Sequence, residues 1–190
     1  NWDPEEMTEY RYDDNVRTGQ LGFQSGTING VVGAAHNNPA EISEMSWQLS
    51  DAPDGGGPHE TVQIYVFGLK TDGSPNSNDL LYTESVTNTD GVWNVHQFPA
   101  PIQAPSGFFI GVAFEGFVGL GVDDGVGTPW VYQNNTHFFS SNYSSGTWSK
   151  WESSGFPNNG MIRALGMEAA VKSYALHNGN PTSTLIYAVN

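Results

Sequence analysis

Cysteine is absent from this chain of 190 residues. Neither a disulfide framework nor a thiolate metal site can form, so the fold must rest on its hydrophobic core. Basic residues are nearly as scarce. Lys and Arg number 6 against 20 Asp and Glu, for a formal charge of −14. The cations, at Arg11, Arg17, Lys70, Lys150, Arg163 and Lys172, are scattered along the sequence. Nucleic acid and anionic membrane call for clustered cations, so both are excluded as partners. No apolar run approaches the length of a membrane span. The chain begins at Asn1 rather than Met and reads as a processed protein or an excised segment.

The signatures of common enzyme chemistry are also missing. There is no H-E-x-x-H, no G-x-S-x-G nucleophile elbow and no phosphate-cradling loop, since Gly55-Gly56-Gly57 is followed by neither Lys nor a helix. His36, His59, His96, His137 and His177 are dispersed, without helical ligand spacing, and most read as surface or loop residues. Glu60, Glu84 and Glu115 fall on expected strands or their ends, without the tight acidic pairing that a glycosidase needs. The expectation is a non-enzyme with no catalytic residues.

What is present is the pattern of a β-sandwich. Met45, Trp47 and Leu49 alternate with Ser46 and Gln48, which favours strand over helix across Glu41–Leu49. Val62, Ile64 and Val66 alternate in a strand from Thr61 to Phe67. A polar loop from Asp72 to Asp79 precedes strands at Leu80–Val86 and Val92–Phe98. Pro99, Pro101 and Pro105 bar the next segment from a central strand. Phe108 to Phe114 is apolar on both faces and reads as central, with Val118–Val122 as its expected neighbour. Met161–Met167 is expected to close the sheet, and Tyr10-Arg11-Tyr12 to form a short first strand. Asx-Gly pairs at 29, 54, 72, 90, 124, 159 and 178 supply turns. The fold expected is all-β, an antiparallel jelly-roll sandwich of two sheets spanning residues 1–170. Residues 171–190 read as a C-terminal hairpin, the start of a further module, or an assembly strand.

Two constellations are candidates for function. Asp13-Asp14-Asn15 and Asp123-Asp124-Gly125 each sit where a strand should end. Paired carboxylates and loop carbonyls suit Ca²⁺, so Asp13, Asp14, Asp123 and Asp124 are the candidate metal ligands, for a structural ion. The alternative is that each Asp starts a turn by bonding its own backbone. The second constellation is an aromatic loop: Trp130, Tyr132, Tyr143, Trp148 and Trp151, interspersed with Asn134, Asn135 and Asn142. Aromatic faces stack on sugar rings while amides bind hydroxyls. The same rings also serve to cover the ends of a core. Asn134-Asn135-Thr136 and Asn142-Tyr143-Ser144 additionally match the glycosylation sequon.

From Tyr10 to Met167 the chain resembles the jelly-roll modules of large secreted Bacteroidetes proteins and is loosely similar to the cleaved-adhesin domains of gingipains. The segments that carry the likeness are Tyr10-Arg11-Tyr12-Asp13-Asp14, Val62-Gln63-Ile64-Tyr65-Val66, Leu80-Leu81-Tyr82, Gly91-Val92-Trp93-Asn94, Gly107-Phe108-Phe109-Ile110-Gly111-Val112, Gly119-Leu120-Gly121-Val122-Asp123 and Asn159-Gly160-Met161-Ile162-Arg163-Ala164. The resemblance implies a non-catalytic module with Ca²⁺ near strand ends. The function expected is extracellular or cell-surface adhesion, with a polysaccharide or a cell-surface protein as partner. The alternatives are a fibre subunit that self-associates through Leu185–Val189, or an accessory domain of a secreted hydrolase.

Overall fold

A computed structural model describes residues 7–22, 30–50, 59–113 and 119–169. The 171–190 segment, with its expected hairpin or assembly strand, lies outside the described residues, as do Glu115 and Phe114. Among the described residues thirteen strands run in the order β1 (Thr8–Tyr10), β2 (Gly19–Leu21), β3 (Val31–His36), β4 (Ala40–Gln48), β5 (Thr61–Leu69), β6 (Pro75–Thr87), β7 (Trp93–Ala104), β8 (Phe108–Ala113), β9 (Leu120–Asp123), β10 (His137–Ser140), β11 (Ser149–Lys150), β12 (Asn159–Gly160) and β13 (Ile162–Glu168). Helical structure among the described residues is confined to 3-10 turns at Tyr143–Ser145 and Glu152–Ser154. The all-β, antiparallel sandwich is as expected.

The strands hydrogen-bond into three sheets that make the two layers of the sandwich. A six-stranded sheet has the order β11-β10-β3-β8-β5-β6, a four-stranded sheet β1-β13-β4-β7, and a three-stranded sheet β12-β9-β2. An isolated bridge between Leu49 and Leu120 ties the end of β4 to β9, so the two smaller ladders meet along one layer. The core lies between that layer and the six-stranded sheet. Ile42, Met45, Trp47 and Leu49 of the β4 segment, with Ile162 and Ala164 of β13, meet Val32 and Ala34 of β3, Val62, Ile64 and Val66 of β5, and Ile110 and Val112 of β8. The alternation of period two thus puts one face of each strand into the sandwich.

The six-stranded sheet carries a second, smaller core on its outer face. Val31, Ala35, Tyr65, Phe67, Leu69, Phe109 and Phe138 cluster there, covered by Tyr143 and Trp148. This explains why β8 is apolar on both faces, and why it is central. Its neighbours are β3 and β5, so it has no edge free for β9; the expected pairing with Val118–Val122 is replaced by β9 pairing with β2 and β12. Three further expectations are corrected. β6 begins at Pro75, inside the expected polar loop, because its first residues pair with the end of β5 beyond two register shifts. β13 lies between β1 and β4 rather than at an edge. Asn159-Gly160 is a strand, not a turn, with Gly160 packed so closely against Leu120 and Trp151 that an added Cβ would sit 3.1 Å from each. Pro99 and Pro101 do occupy a strand, but β7 is an edge strand, where a missing N–H costs no ladder bond.

Trp47 is anchored by a buried polar knot beside the core. Its Nε1 donates to Asn88 Oδ1 at 2.9 Å, and Asn88 Nδ2 donates to the His59 carbonyl at 2.6 Å and to Asp90 Oδ1 at 2.8 Å. Asp90-Gly91 makes the turn the sequence signals: Gly91 has φ of 79°, a conformation that favours glycine, and its N–H donates to the Leu49 carbonyl at 2.9 Å.

Candidate functional site

The two Asp pairs meet. Asp13 follows β1 and Asp123 ends β9, and both carboxylates are buried at one end of the sandwich. Asp123 Oδ2 accepts the Asp14 backbone N–H at 2.8 Å. Each of the four aspartates also accepts the N–H two residues on: Asn15 to Asp13 at 3.0 Å, Val16 to Asp14 at 2.8 Å, Gly125 to Asp123 at 2.7 Å and Val126 to Asp124 at 3.1 Å. These are Asx turns, the alternative weighed for these residues. Burial raises the Asp123 carboxyl above the usual carboxylate range, against the two amide bonds that lower it.

The Asp13 charge is neutralised within the chain. Arg163 Nε donates to Asp13 Oδ2 at 2.9 Å and Arg163 Nη2 donates to Asp13 Oδ1. Arg11 stands 3.7 Å from the same Oδ1 and clamps the Asp13 carbonyl through Nε at 3.0 Å and Nη2 at 2.7 Å. A cation here would have to displace a guanidinium from a fully buried carboxylate. Asp123, with both oxygens on backbone amides, offers it little. Among the described residues no group of three His, Asp or Glu converges in a metal-ligating arrangement. The donor set therefore does not fit Ca²⁺, and its geometry is that of turns and an ion pair.

The same network organises two tryptophans. Arg163 Cζ lies 4.1 Å from the centre of the Trp93 ring, and Arg11 Cζ lies 4.6 Å from that of Trp130. Both guanidiniums also reach Glu9, Arg11 Nη1 at 3.2 Å and Arg163 Nη1 at 3.4 Å. Trp93 Nε1 donates to Asn15 Oδ1 at 3.0 Å, and the Trp130 carbonyl accepts from Asn159 Nδ2 at 2.7 Å. The result is a row, Trp130–Arg11–(Asp13, Glu9)–Arg163–Trp93, with two half-buried indoles at its ends and a balanced pair of positive and negative charges between them. Guanidinium stacked on indole is a favourable, orienting contact.

The remaining aromatic candidates do not join this row. Trp151 is fully buried in the main core, so it is a packing residue whose ring is closed to any ligand in this structure. Tyr143 and Trp148 cover the second core. Trp148 packs edge-on to Phe109 at 5.0 Å and donates Nε1 to Ser77 Oγ at 2.9 Å, while Tyr143 lies 5.0 Å from Tyr65. Tyr132 donates its hydroxyl to Glu152 Oε2 at 2.6 Å, and Glu152 Oε1 accepts the Asn135 amide at 3.0 Å. Burial works against charge on Glu152, yet the Tyr132 hydroxyl and the amide bonds prevail and hold its carboxyl below the usual range. Only Trp130, of the five, belongs to this row. Trp93, Glu9, Arg11 and Arg163 were not singled out from sequence. The available signal was that two of only six basic residues neighbour the motifs that carry Asp13 and Met161.

The histidines are less superficial than expected. His36, His59 and His137 are buried. Tyr12 stacks on His36 at 4.7 Å and meets His137 edge-on at 5.1 Å. His137 Nε2 accepts the Gly160 N–H at 3.0 Å, so Nδ1 carries the proton and donates to Thr136 Oγ1 at 2.8 Å. Burial pulls both His36 and His137 down to about 3, so both are neutral.

No family model matches the sequence, and no curated protein matches it. Solved structures do match the fold. The clostridial cysteine protease Cwp84 after propeptide cleavage superimposes with a TM-score of 0.58 at 12% identity, over 89% of this chain and 42% of that one. A second structure, of the cysteine protease and lectin-like domains of Cwp84, a surface layer associated protein of Clostridium difficile, gives 0.57 at 11% identity over 89% and 37%. The chain thus shares its fold with part of that protein and spans about two fifths of the solved chains it matches.

Proposed function

We propose that this chain is a non-catalytic binding domain of an extracellular surface protein, and that it takes up a carbohydrate or another surface partner. The observation that carries the reading is the likeness of 89% of the chain to a protein built of protease and lectin-like domains. The chain has no cysteine, so that protein's cysteine chemistry has no counterpart in it. Among the described residues no helix is long and apolar enough to cross a membrane.

The row between Trp130 and Trp93 is the surface best suited to contact. Two half-exposed indoles offer flat apolar faces. Two arginines and two carboxylates between them hold the rings in place. With a formal charge of −14 over the whole chain, neutral or amino-bearing glycans are favoured over polyanionic ones. The test is binding of the protein to an array of neutral, amino-bearing and sulfated oligosaccharides, with Trp93→Ala and Trp130→Ala alongside. The expected outcome is binding by the parent chain, lost in both variants, whose thermal unfolding stays close to that of the parent. Undiminished binding in both variants overturns the platform. No binding to any glycan, with capture of a surface protein instead, moves the partner from sugar to protein.

A further inference from the structure

Away from the tryptophan row, β6 and β7 form the facing edges of the two main sheets, and three chemically distinct side chains meet between them. Tyr82 and Glu84 stand two residues apart on β6 and so share one face, while His96 reaches across from β7. The Tyr82 hydroxyl donates to Glu84 Oε2. His96 Nε2 lies 3.2 Å from the Tyr82 hydroxyl and 3.4 Å from Glu84 Oε2. All three polar atoms therefore converge on one point. Phe98 forms an apolar floor, its ring 4.9 Å from that of Tyr82 and 5.5 Å from that of His96. The point is open to solvent, with the His96 side chain 18% and the Glu84 side chain 47% exposed.

We infer that Tyr82, Glu84 and His96 form a binding site for a borderline divalent transition metal, of which Zn²⁺ is the type. Zinc holds imidazole nitrogen and carboxylate oxygen at about 2.0–2.2 Å in a tetrahedron, which sets neighbouring donors about 3.3–3.5 Å apart. The two distances from His96 Nε2 are close to that edge length. The third edge is at present closed by the Tyr82–Glu84 hydrogen bond, and a small rotation of the exposed Glu84 side chain opens it. The Tyr82 phenol oxygen is the weakest of the three donors, beside an imidazole nitrogen and a carboxylate. Water completes the fourth position. Imidazole, carboxylate and phenol in one place suit Zn²⁺ better than Ca²⁺, which requires six or more oxygens. Because the ligands come from different sheets, a bound ion ties the two layers together at their open side, and binding stabilises the fold.

The experiment is equilibrium dialysis of the untagged chain against Zn²⁺ alone, with thermal unfolding read in parallel. The expected result is one Zn²⁺ per chain and a rise in Tm of several degrees. His96→Ala and Glu84→Gln are expected to weaken binding by at least about tenfold, and Tyr82→Phe by less. His59→Ala and His177→Ala should bind as the parent does. Glu84→Gln changes an exposed side chain and keeps the test open if His96→Ala folds poorly. Absence of saturable binding by the parent, or binding unaltered in both His96→Ala and Glu84→Gln, overturns the site.

Discussion

His36 offers the sharpest test of how this core is built, because it is a titratable ring sealed among aromatics. It stacks on Tyr12 at 4.7 Å and touches Tyr10 at 5.6 Å and Phe108 at 5.1 Å, and its Nε2 is buried without a hydrogen-bond partner. Burial lowers it from 6.5 to about 3. Below pH 6.5 the unfolded chain therefore takes up a proton that the folded chain refuses, until the pH nears 3. Stability from this group is fully present above pH 6.5 and is lost progressively as the pH falls through that window. At pH 5 the gap of about 1.5 units below the unfolded value amounts to roughly 2 kcal/mol. The perturbation is His36→Phe, which preserves a flat ring and removes the titration. The assay is urea unfolding of parent and variant between pH 8 and pH 5, at constant ionic strength. The parent should lose about 2 kcal/mol more than the variant over that range, with the m-value unchanged. The same pH dependence in both chains refutes the reasoning, whatever the variant does to stability at pH 8, because the carboxylates and the net charge are common to both.

Other consequences can be read from unfolding experiments. Arg163→Met removes both guanidinium bonds from the buried Asp13 carboxylate, leaving Arg11 at 3.7 Å as its remaining cation, and is expected to cost about 3 kcal/mol, whereas Lys150→Met, on an exposed side chain, should cost less than about 1 kcal/mol. Trp151→Ala removes a fully buried indole from the main core and should cost about 3–5 kcal/mol in chemical denaturation, while Trp130→Ala, half-buried, should cost clearly less. Trp148→Ala opens the second core alone. It should speed proteolysis in the 141–148 loop while the urea midpoint moves less than for Trp151→Ala. Finally, Ca²⁺ against a Ca²⁺ chelator should leave Tm unchanged if the aspartates serve turns and Arg163, and a rise of several degrees with Ca²⁺ would overturn that assignment.

Strand positions were legible because their signal is local. The alternation through Met45, Trp47 and Leu49, and through Val62, Ile64 and Val66, survives as the inner faces of β4 and β5. Pairing was less legible, because it depends on which faces are apolar on both sides. Phe109 and Phe67 look like core residues from sequence, but nothing local says that Tyr143 and Trp148 fold over the outside of the sheet to cover them. That covering is also why an Asn- and aromatic-rich loop read as a ligand surface when much of it is packing. The meeting of Asp13 with Asp123 depends on partners about 110 residues apart, and no pattern of period two can announce it. Arg163 illustrates the same limit. In sequence it is one polar residue in an alternating strand; in the fold it neutralises a carboxylate and carries Trp93.

The charge balance at that end of the sandwich bears on the binding row proposed above. A buried ion pair is weak evidence of stabilisation, since desolvating both charges offsets most of their attraction. Apolar residues of similar volume would hold Asp13's turn and the Trp93 ring at least as firmly in free-energy terms. What they would not do is fix orientation. The forked guanidinium of Arg163 is bonded at once to Asp13 and Asn15 and lies over Trp93, and Asn15 also accepts the Trp93 Nε1. The indole is thus held at its face and at its only polar atom. A ring fixed in this way loses little conformational entropy when a partner stacks on it, and that cost otherwise weakens binding by exposed side chains. Arg163→Lys separates the two roles. The ammonium keeps the charge opposite Asp13 but cannot form the fork or lie flat on the indole. The variant should therefore remain folded, with a modest loss of stability, while affinity for whatever stacks on Trp93 falls by a larger factor than stability accounts for. Equal affinity in Arg163→Lys and the parent would mean that the network serves the fold alone.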